Sequence, residues 1–368
     1  MFTLLLIIKS EGGFAFTQNK SYQLRFWGRN ETTMYRDRIA LYRKLEHLRE
    51  SRLIVMVTGD RRGLETQISP EFLDYMVDHL DVIQRADKIS LFLYTRGGSI
   101  TAAWSIISLI RQFCDELEVI VPSRAHSAGT LMCLGANRII MTKQATLGPI
   151  DPSITNHPLA PAIPGQAGIT YPVSVEDVRG FIELAREEMK ISDGSDFTQV
   201  LLKLCDSVHP LILGNVFRAT SQIRMLARRM LKYQVSDSDT VERIVAFLVS
   251  DSGSHDYTIS RTEAKNDLGL NIEKPDDELY GIIKAIFTDI KQELQLNEPY
   301  DPQQLATSTA PNPYSYSFKR ALLESVEGGS NAFVKEGQLI AIPVSQNGIT
   351  VTGIQDNTTY EGWRHEQL

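Results

Sequence analysis

Two blocks of sequence decide the fold of this chain: SLFLYTRGGSITAAWSIISLI at residues 90–110 and LEVIVPSRAHSAGTLMCLGANRIIMTKQATLGPIDP at residues 117–152. Each block opens with a short apolar run, rich in β-branched or aromatic residues, that ends at a breaker. Continuous apolarity, rather than alternation, is typical of strands that are covered on both faces. Helical spacing of apolar or small residues follows each breaker. Each block therefore predicts a buried strand, a turn and a helix.

The two predicted turns carry residues that suit acyl transfer. In the first turn, the backbone of Gly97 and Gly98 can aim N–H groups at an oxyanion. In the second, Ser127 opens a helix and can attack a carbonyl carbon. We predict Ser127 as the nucleophile, the N–H groups of Gly98 and Ala128 as oxyanion donors, and Gly97 as the residue that shapes the turn. The structural alternative is an ordinary N-cap serine and a plain glycine turn.

Four motifs then occur in a specific order: Thr95-Arg-Gly-Gly98, His126-Ser-Ala-Gly-Thr130, Leu147-Gly-Pro-Ile-Asp-Pro152 and the run from Ile259 to Leu270. Together they resemble the Clp protease/crotonase superfamily, and most closely its serine dehydrogenase proteinase branch, which is related to the signal-peptide-peptidase-like serine proteases. The first motif is similar to the family's oxyanion turn, the second to its nucleophile motif, and the last to the helix and turn that close many cores of the superfamily.

The resemblance spans about residues 35–272. It implies an α/β fold with a Clp protease/crotonase-like repeated ββα core, followed by a C-terminal helical and small β appendage. It also implies a serine that cleaves peptide bonds through an acyl-enzyme, assembly as a homo-oligomer, and no cofactor. Arg96 stands where the family usually has proline, and it lies on an exposed loop or binds a substrate carboxylate.

The general base is the weakest part of the prediction, because a serine hydroxyl needs a nearby proton acceptor. Clp proteases use a histidine, but the matching block, Leu147–Pro152, contains none. The related lysine enzymes place their lysine before a helix that matches Ser174–Glu188, and no lysine stands at its start. We rank Asp151 and His255 above His209 as candidates, and a structural role is an open alternative for each. Without a base in reach, the serine is catalytically weak.

Composition excludes several classes of function. The chain has 368 residues, 42% of them hydrophobic, and a net charge of −7, which gives no electrostatic case for nucleic acid. Its seven histidines lack metal-ligand spacing, and it has no phosphate loop or dinucleotide fingerprint. No metal and no cofactor are predicted.

The three cysteines, without disulfide spacing, indicate a reducing compartment. The apolar run Phe2–Ile8 is shorter than the roughly 20 residues of a membrane span and predicts a strand. We therefore expect a cytoplasmic protein with no integral membrane segment.

The pattern along the chain predicts five regions. They are an N-terminal strand segment (1–30), the protease core (31–272), a helix (273–296), a linker rich in Pro, Asn, Gln, Ser and Tyr (297–317), and a small β appendage (318–368). Within the appendage, Asn347-Gly348 is a hairpin signal between two β-like runs.

Two classes of function remain open. The leading one is a soluble Clp-class serine peptidase that acts on peptide or protein substrates. The alternative is a non-proteolytic use of the fold, as an inactive oligomeric scaffold that binds partners or as a crotonase-like acyl-CoA enzyme. A Ser-Ala-Gly sequence at a helix start favours the peptidase over the acyl-CoA enzyme, whereas the missing histidine and lysine favour the scaffold.

Overall fold

The computed structural model describes residues 34–150, 153–154, 159–161, 163, 170–171, 173–251, 256–308, 312–346 and 349–366. The predicted N-terminal strand segment and the Asn347-Gly348 turn lie outside these residues.

The described helices are α1 (Met34–Arg49), α2 (Phe72–Ile83), α3 (Ile100–Ile110), α4 (Ala128–Leu134), α5 (Val175–Glu183), α6 (Gly194–Ser207), α7 (Pro210–Leu231), α8 (Ser238–Ala246), α9 (Arg261–Asn266), α10 (Asp277–Glu293) and α11 (Pro302–Ser308). Two π-helical turns, Leu184–Glu188 and Phe247–Asp251, extend α5 and α8.

The described strands are β1 (Arg52–Thr58), β2 (Ala86–Tyr94), β3 (Cys114–Val121), β4 (Arg124–Ala125), β5 (Arg138–Met141), β6 (Thr146–Leu147), β7 (Ser153–Ile154), β8 (Val173–Ser174), β9 (Ile259–Ser260), β10 (Ile272–Glu273), β11 (Tyr314–Ser325), β12 (Gly329–Gln346) and β13 (Ile349–Glu366).

Eight of these strands form one mixed sheet in the order β10-β5-β3-β2-β1-β11-β12-β13. The first five are parallel to their neighbours, and β11 to β13 are antiparallel. A second, small sheet has the order β4-β6-β9, and β7 pairs with β8.

Apolar layers cover both faces of the parallel strands. On one face, Ile54 and Met56 of β1 pack in a core with α2, α3, α4, α7 and α8. On the other, Leu53, Val55 and Val57 pack against α1 and α10. This burial on both faces is what continuous apolar strands require. The α/β fold class predicted from the sequence is confirmed.

The predicted ββα repeat is visible around the two sequence blocks. Strand β2 is followed by a bridge between Thr95 and Ala125 and then by α3. Strand β3 is followed by β4 in the small sheet and then by α4. Ser99 caps α3, because its hydroxyl accepts a hydrogen bond from the Ala102 N–H at 3.2 Å. The repeat therefore brings both turns to the same edge of the sheet.

The C-terminal strands continue the central sheet. Strand β11 pairs antiparallel with β1, with Ile54 opposite Ser325 and Thr58 opposite Ala321. The segment predicted as a linker contains α11, and β11 already begins at Tyr314 within it. The hairpin signal agrees with the antiparallel pairing of β12 and β13. The division into separate domains stays a prediction.

A buried ionic network joins α1 to α10 and β11. The Arg38 guanidinium is fully buried and contacts Asp289 at 2.6 Å, Glu293 at 2.5 Å and Glu324 at 2.6 Å. Lys319 adds a second cation, 2.7 Å from Glu293. Since every charge in this network has partners of opposite sign, the network can stay ionised inside the protein.

A second network makes stability depend on pH. Arg49 bonds to both Glu118 and Glu273, and Arg138 adds a bond to Glu273. Burial alone raises the pKa of Glu273, but the bonds and charges of Arg49 and Arg138 outweigh it, so the pKa lies below its ordinary 4.5.

A carboxyl group with a lowered pKa in the folded state stabilises the fold above its unfolded pKa, and this stability is lost as pH falls through the folded pKa. We therefore expect the Glu273→Gln variant to show a smaller loss of stability than the wild type between roughly pH 6 and pH 3 in urea unfolding. Identical pH profiles for the two proteins would contradict this expectation.

Candidate active site

The two predicted turns lie side by side at the carboxyl ends of β2 and β3. The Thr95 N–H donates to the Arg124 carbonyl at 3.1 Å, and the His126 N–H donates to the Thr95 carbonyl at 3.1 Å. These bonds form the parallel bridge between Thr95 and Ala125. The bridge fixes the glycine turn against the residue that precedes the predicted nucleophile.

Gly97 contacts Ser127 directly. Its φ is +116°, and a Cβ at this position would lie 2.7 Å from the Ser127 Cβ and 3.2 Å from the Ser127 Oγ. Both the backbone conformation and the space therefore require glycine. The structure thus brings together the two turns that the sequence singled out.

Gly98 is enclosed by the backbone of a third segment. Its φ is +140°, and a Cβ would lie 2.5 Å from both the N and the O atoms of Ile68. The Ile68 N–H donates to the Gly97 carbonyl at 2.9 Å, and the Ser99 N–H donates to the Ile68 carbonyl at 2.8 Å. The Gly97 N–H donates a hydrogen bond to the Thr95 hydroxyl oxygen at 3.0 Å. Within the described chain, the Gly98 N–H has no acceptor assigned to it, as an oxyanion donor requires.

Ser127 has a strained backbone and a hydroxyl that does not cap its helix. Its φ and ψ are 51° and −115°, a conformation that a residue other than glycine seldom adopts. The residue is partly exposed, and its side chain makes no capping hydrogen bond to α4. These facts weigh against the ordinary N-cap alternative. The Ala128 N–H, at the start of the same helix, also has no acceptor assigned among the described residues.

Helix α4 is held close to the glycine turn by small residues and one hydroxyl. A Cβ on Gly129 would lie 2.4 Å from the Thr95 Cγ2. The Thr130 hydroxyl lies 2.8 Å from the carbonyl oxygens of both Ala125 and Gly148. It therefore ties the start of α4 to the Leu147–Pro152 motif. This explains why the nucleophile motif ends in Gly-Thr.

The His126 ring contacts β6 and the glycine that follows it. Its Nε2 lies 2.8 Å from the Thr146 Oγ1, and a Cβ on Gly148 would touch the ring at 3.3 Å. His209 caps α7, since its Nδ1 accepts a hydrogen bond from the Leu211 N–H at 3.2 Å. Arg96 is exposed. None of these interactions assigns a general base.

Asp151 and His255, the preferred candidates for the base, lie outside the described residues. The described segments next to them are close to each other. The Ile150 N–H donates to the Leu248 carbonyl at 2.8 Å, and Leu147 of β6 pairs with Ile259 of β9. The assignment of Asp151 and His255 stays a prediction.

Two polar groups that support the turns were not predicted. The Thr58 hydroxyl donates to the Thr95 hydroxyl at 2.7 Å. The Thr95 hydroxyl in turn holds the glycine turn through the Gly97 N–H. Asp60 accepts from the Tyr94 hydroxyl at 2.7 Å and pairs with Arg124 at 3.0 Å. Thr58 ends β1 and Asp60 follows closely, and the carboxyl ends of parallel strands meet at one edge of a sheet. The place of Thr58 and Asp60 at the end of a predicted strand was the sequence signal that could have identified them.

Comparison with known proteins finds a family model that matches the region holding both turns. Residues 27–177 match the model of the SDH_protease family, described as ClpP-like SDH-type serine proteinases. The predicted resemblance is confirmed. The match to a ClpP-like SDH-type family supports a serine peptidase in kind.

Two curated relatives come from Methanocaldococcus jannaschii. The uncharacterized protein MJ0137 is 27% identical over 264 residues, covering 69% of this chain and 80% of its own length. The uncharacterized protein MJ1495 is 26% identical over 243 residues, covering 64% and 71%.

Among the solved structures to which this chain shows similarity is a mutant of 1510-N, a membrane-bound stomatin-specific protease. It is 18% identical, with a TM-score of 0.36, and the match covers 65% of this chain and 85% of that one. ClpP1 from Listeria monocytogenes is 17% identical, with a TM-score of 0.33, and covers 64% and 98%. Among the described residues, no single helix has the length and apolarity that crossing a membrane demands; α6 and α7 reach them only jointly, across a bend of 102°.

Proposed function

We propose that this protein is a Clp-class serine peptidase that cleaves peptide bonds through an acyl-enzyme on Ser127. One observation carries the proposal: a partly exposed serine hydroxyl, free of any capping bond, lies against Gly97 in a strained turn. The N–H groups of Gly98 and Ala128 are proposed as the donors to the oxyanion. Backbone strain at an exposed serine is common at catalytic nucleophiles.

In the proposed reaction, the Ser127 oxygen attacks the carbonyl carbon of a peptide bond while a base accepts the hydroxyl proton. The oxyanion of the tetrahedral intermediate is stabilised by the two N–H groups. The C–N bond then breaks, and the proton passes to the leaving amine. Water hydrolyses the ester and regenerates the serine. We propose Asp151 or His255 as the base.

A fluorophosphonate probe tests the nucleophile. We expect covalent labelling of the wild type, detected as a single mass increment, and a loss of roughly 10³-fold or more in labelling rate for Ser127→Ala. Ser99→Ala is the matched control, because Ser99 lies in the neighbouring turn but uses its hydroxyl to cap α3. The control should label at the wild-type rate. Labelling that persists in Ser127→Ala would refute the assignment.

The same probe ranks the two candidate bases. Asp151→Asn and His255→Gln are each compared with the wild type, and the true base should slow labelling by about 10²-fold or more. A folded wild type that never labels favours the second candidate function, an inactive partner-binding scaffold. The observation behind that alternative is that the two described histidines considered for the site are engaged elsewhere: the His126 ring lies 2.8 Å from the Thr146 hydroxyl, and His209 caps α7.

We also propose a peptide or protein substrate, a homo-oligomeric state and a cytoplasmic location. The Cys114 and Cys133 thiols are free and buried, which suits a reducing compartment.

A further inference from the structure

Arg320 stands at an irregular position of strand β11. The register of β11 against β12 shifts between Lys319 and Ala321, so Arg320 is an extra residue on its strand. Such β-bulges occur often next to active sites, where they redirect a side chain. On the other edge of β11, the pairing with β1 ends at Thr58 and Ala321. Arg320 therefore lies where the chain leaves β1 and enters the segment that leads to the glycine turn.

The main chain of Arg320 binds this segment, residues 59–68, which we call the β1–α2 loop. The Gly59 N–H and the Thr66 hydroxyl both donate to the Arg320 carbonyl at 2.8 Å. A Cβ on Gly59 would lie 2.5 Å from that carbonyl oxygen. An approach of two backbones this close requires glycine. The bulge thus holds the loop at its start and again near its end.

The guanidinium group of Arg320 binds the backbone of the same loop. Its Nε donates to the Leu64 carbonyl at 3.1 Å, and its Nη2 donates to the Glu65 carbonyl at 2.7 Å. Its Nη1 pairs with Glu361 of β13 at 2.5 Å. The Arg320 side chain is only 15% exposed, so these bonds are largely shielded from water. A planar group with several donors can serve both carbonyls at once, whereas a lysine ammonium cannot reproduce this geometry.

The β1–α2 loop in turn orients the peptide unit between Gly97 and Gly98. The Ile68 N–H donates to the Gly97 carbonyl at 2.9 Å, and the Ser99 N–H donates to the Ile68 carbonyl at 2.8 Å. The peptide bond between the two glycines is trans, so its C=O and its N–H point in opposite directions. Because the Gly97 carbonyl faces Ile68, the Gly98 N–H is turned away from Ile68. The position of Ile68 therefore sets the direction of the proposed oxyanion donor.

We propose that Arg320 is a positioning residue for the oxyanion turn. It holds the β1–α2 loop, the loop holds Ile68, and Ile68 directs the Gly98 N–H. The inference rests on the proposed function, since it assigns a part in stabilising the oxyanion. It adds that the C-terminal strands β11 and β13 help to set the rate of the reaction at Ser127.

The Arg320→Met variant tests this role in catalysis. Fluorophosphonate labelling over a range of probe concentrations separates the maximal labelling rate from the affinity for the probe. We expect the maximal rate to fall by about 10–100-fold at unchanged affinity, because a displaced donor weakens only the stabilisation of the transition state. Every molecule should still label in the end, whereas a partly unfolded variant would show a lower final extent of labelling. Arg320→Lys should recover part of the rate.

Arg364→Met is the matched control. Arg364 lies on β13 and pairs with Glu336 of β12 at 2.8 Å, so it binds within the same pair of strands as Glu361 but not to the β1–α2 loop. This variant should label at the wild-type rate. An Arg320→Met variant that labels as fast as the wild type overturns the proposal.

Hydrogen exchange, followed by mass spectrometry, gives a second readout that does not depend on catalysis. In Arg320→Met, the amides of Ile68 and Ser99 should exchange at least about 10-fold faster than in the wild type, while the amide of Ile106 in α3 keeps its rate. Unchanged exchange at Ile68 and Ser99 overturns the proposal even if labelling slows. A wild type that never labels refutes the proposed peptidase, and faster exchange in Arg320→Met still supports the positioning of the turn by Arg320.

Discussion

Replacing Gly98 by alanine is expected to abolish fluorophosphonate labelling and to lower the free energy of unfolding by at least about 2 kcal/mol. The alanine Cβ would lie 2.5 Å from two backbone atoms of Ile68, which cannot rotate away as a side chain can. The φ of +140° adds strain for any residue with a Cβ. The turn must therefore move, and the proposed oxyanion donor moves with it.

The control for this prediction is Gly281→Ala. A Cβ on Gly281 meets no atom within 4 Å, and the residue lies in the interior of α10. Alanine there should raise stability by about 0.5–1 kcal/mol and leave labelling unchanged. Labelling rates and urea unfolding of the three proteins give the comparison. If Gly98→Ala labels as fast as the wild type, the turn is not part of the catalytic machinery.

Replacing Arg38 by methionine is expected to lower the free energy of unfolding by about 3–5 kcal/mol. The substitution keeps much of the side-chain volume but leaves the fully buried Glu324 carboxylate without its cation. Glu293, whose side chain is only 3% exposed, loses one of its two partners and retains Lys319. Removing the cation from a buried ionic network lowers the stability of the fold, because the remaining carboxylates have little access to water.

An exposed ion pair gives the comparison for Arg38. Arg52 pairs with Glu327 at 2.8 Å, but the Arg52 side chain is 51% exposed. Arg52→Met should therefore cost no more than about 1 kcal/mol. The double variant Arg38→Met/Glu324→Gln should recover part of the loss, since it removes the stranded charge. Equal effects of Arg38→Met and Arg52→Met in urea unfolding would show that the network does not stabilise the fold.

The parts of the fold that follow from local pattern could be predicted from the sequence. The strands that lead to Gly97 and to Ser127 are continuous apolar runs, and their breakers mark where the chain turns. The order of the motifs also predicts that the two turns form one site. The contact between Gly97 and Ser127 agrees with that pairing.

Pairings between distant parts of the chain could not be predicted in this way. Nothing local in Tyr314–Ser325 indicates that it lies beside β1 rather than in a separate appendage. The burial of Arg38 depends on Glu324, which lies far along the chain. Thr58 escaped notice for the same reason, because its partner Thr95 belongs to another strand.

The position of β11 has a consequence for synthesis of the protein on the ribosome. Strand β1 stands between β2 and β11, so one of its edges acquires a hydrogen-bonded neighbour only after residues 314–325 have emerged. Until then the nascent chain carries an open, apolar strand edge, which is a site for pairing with other chains. Strand β11, which is translated late, thus covers an edge of β1, which is translated early.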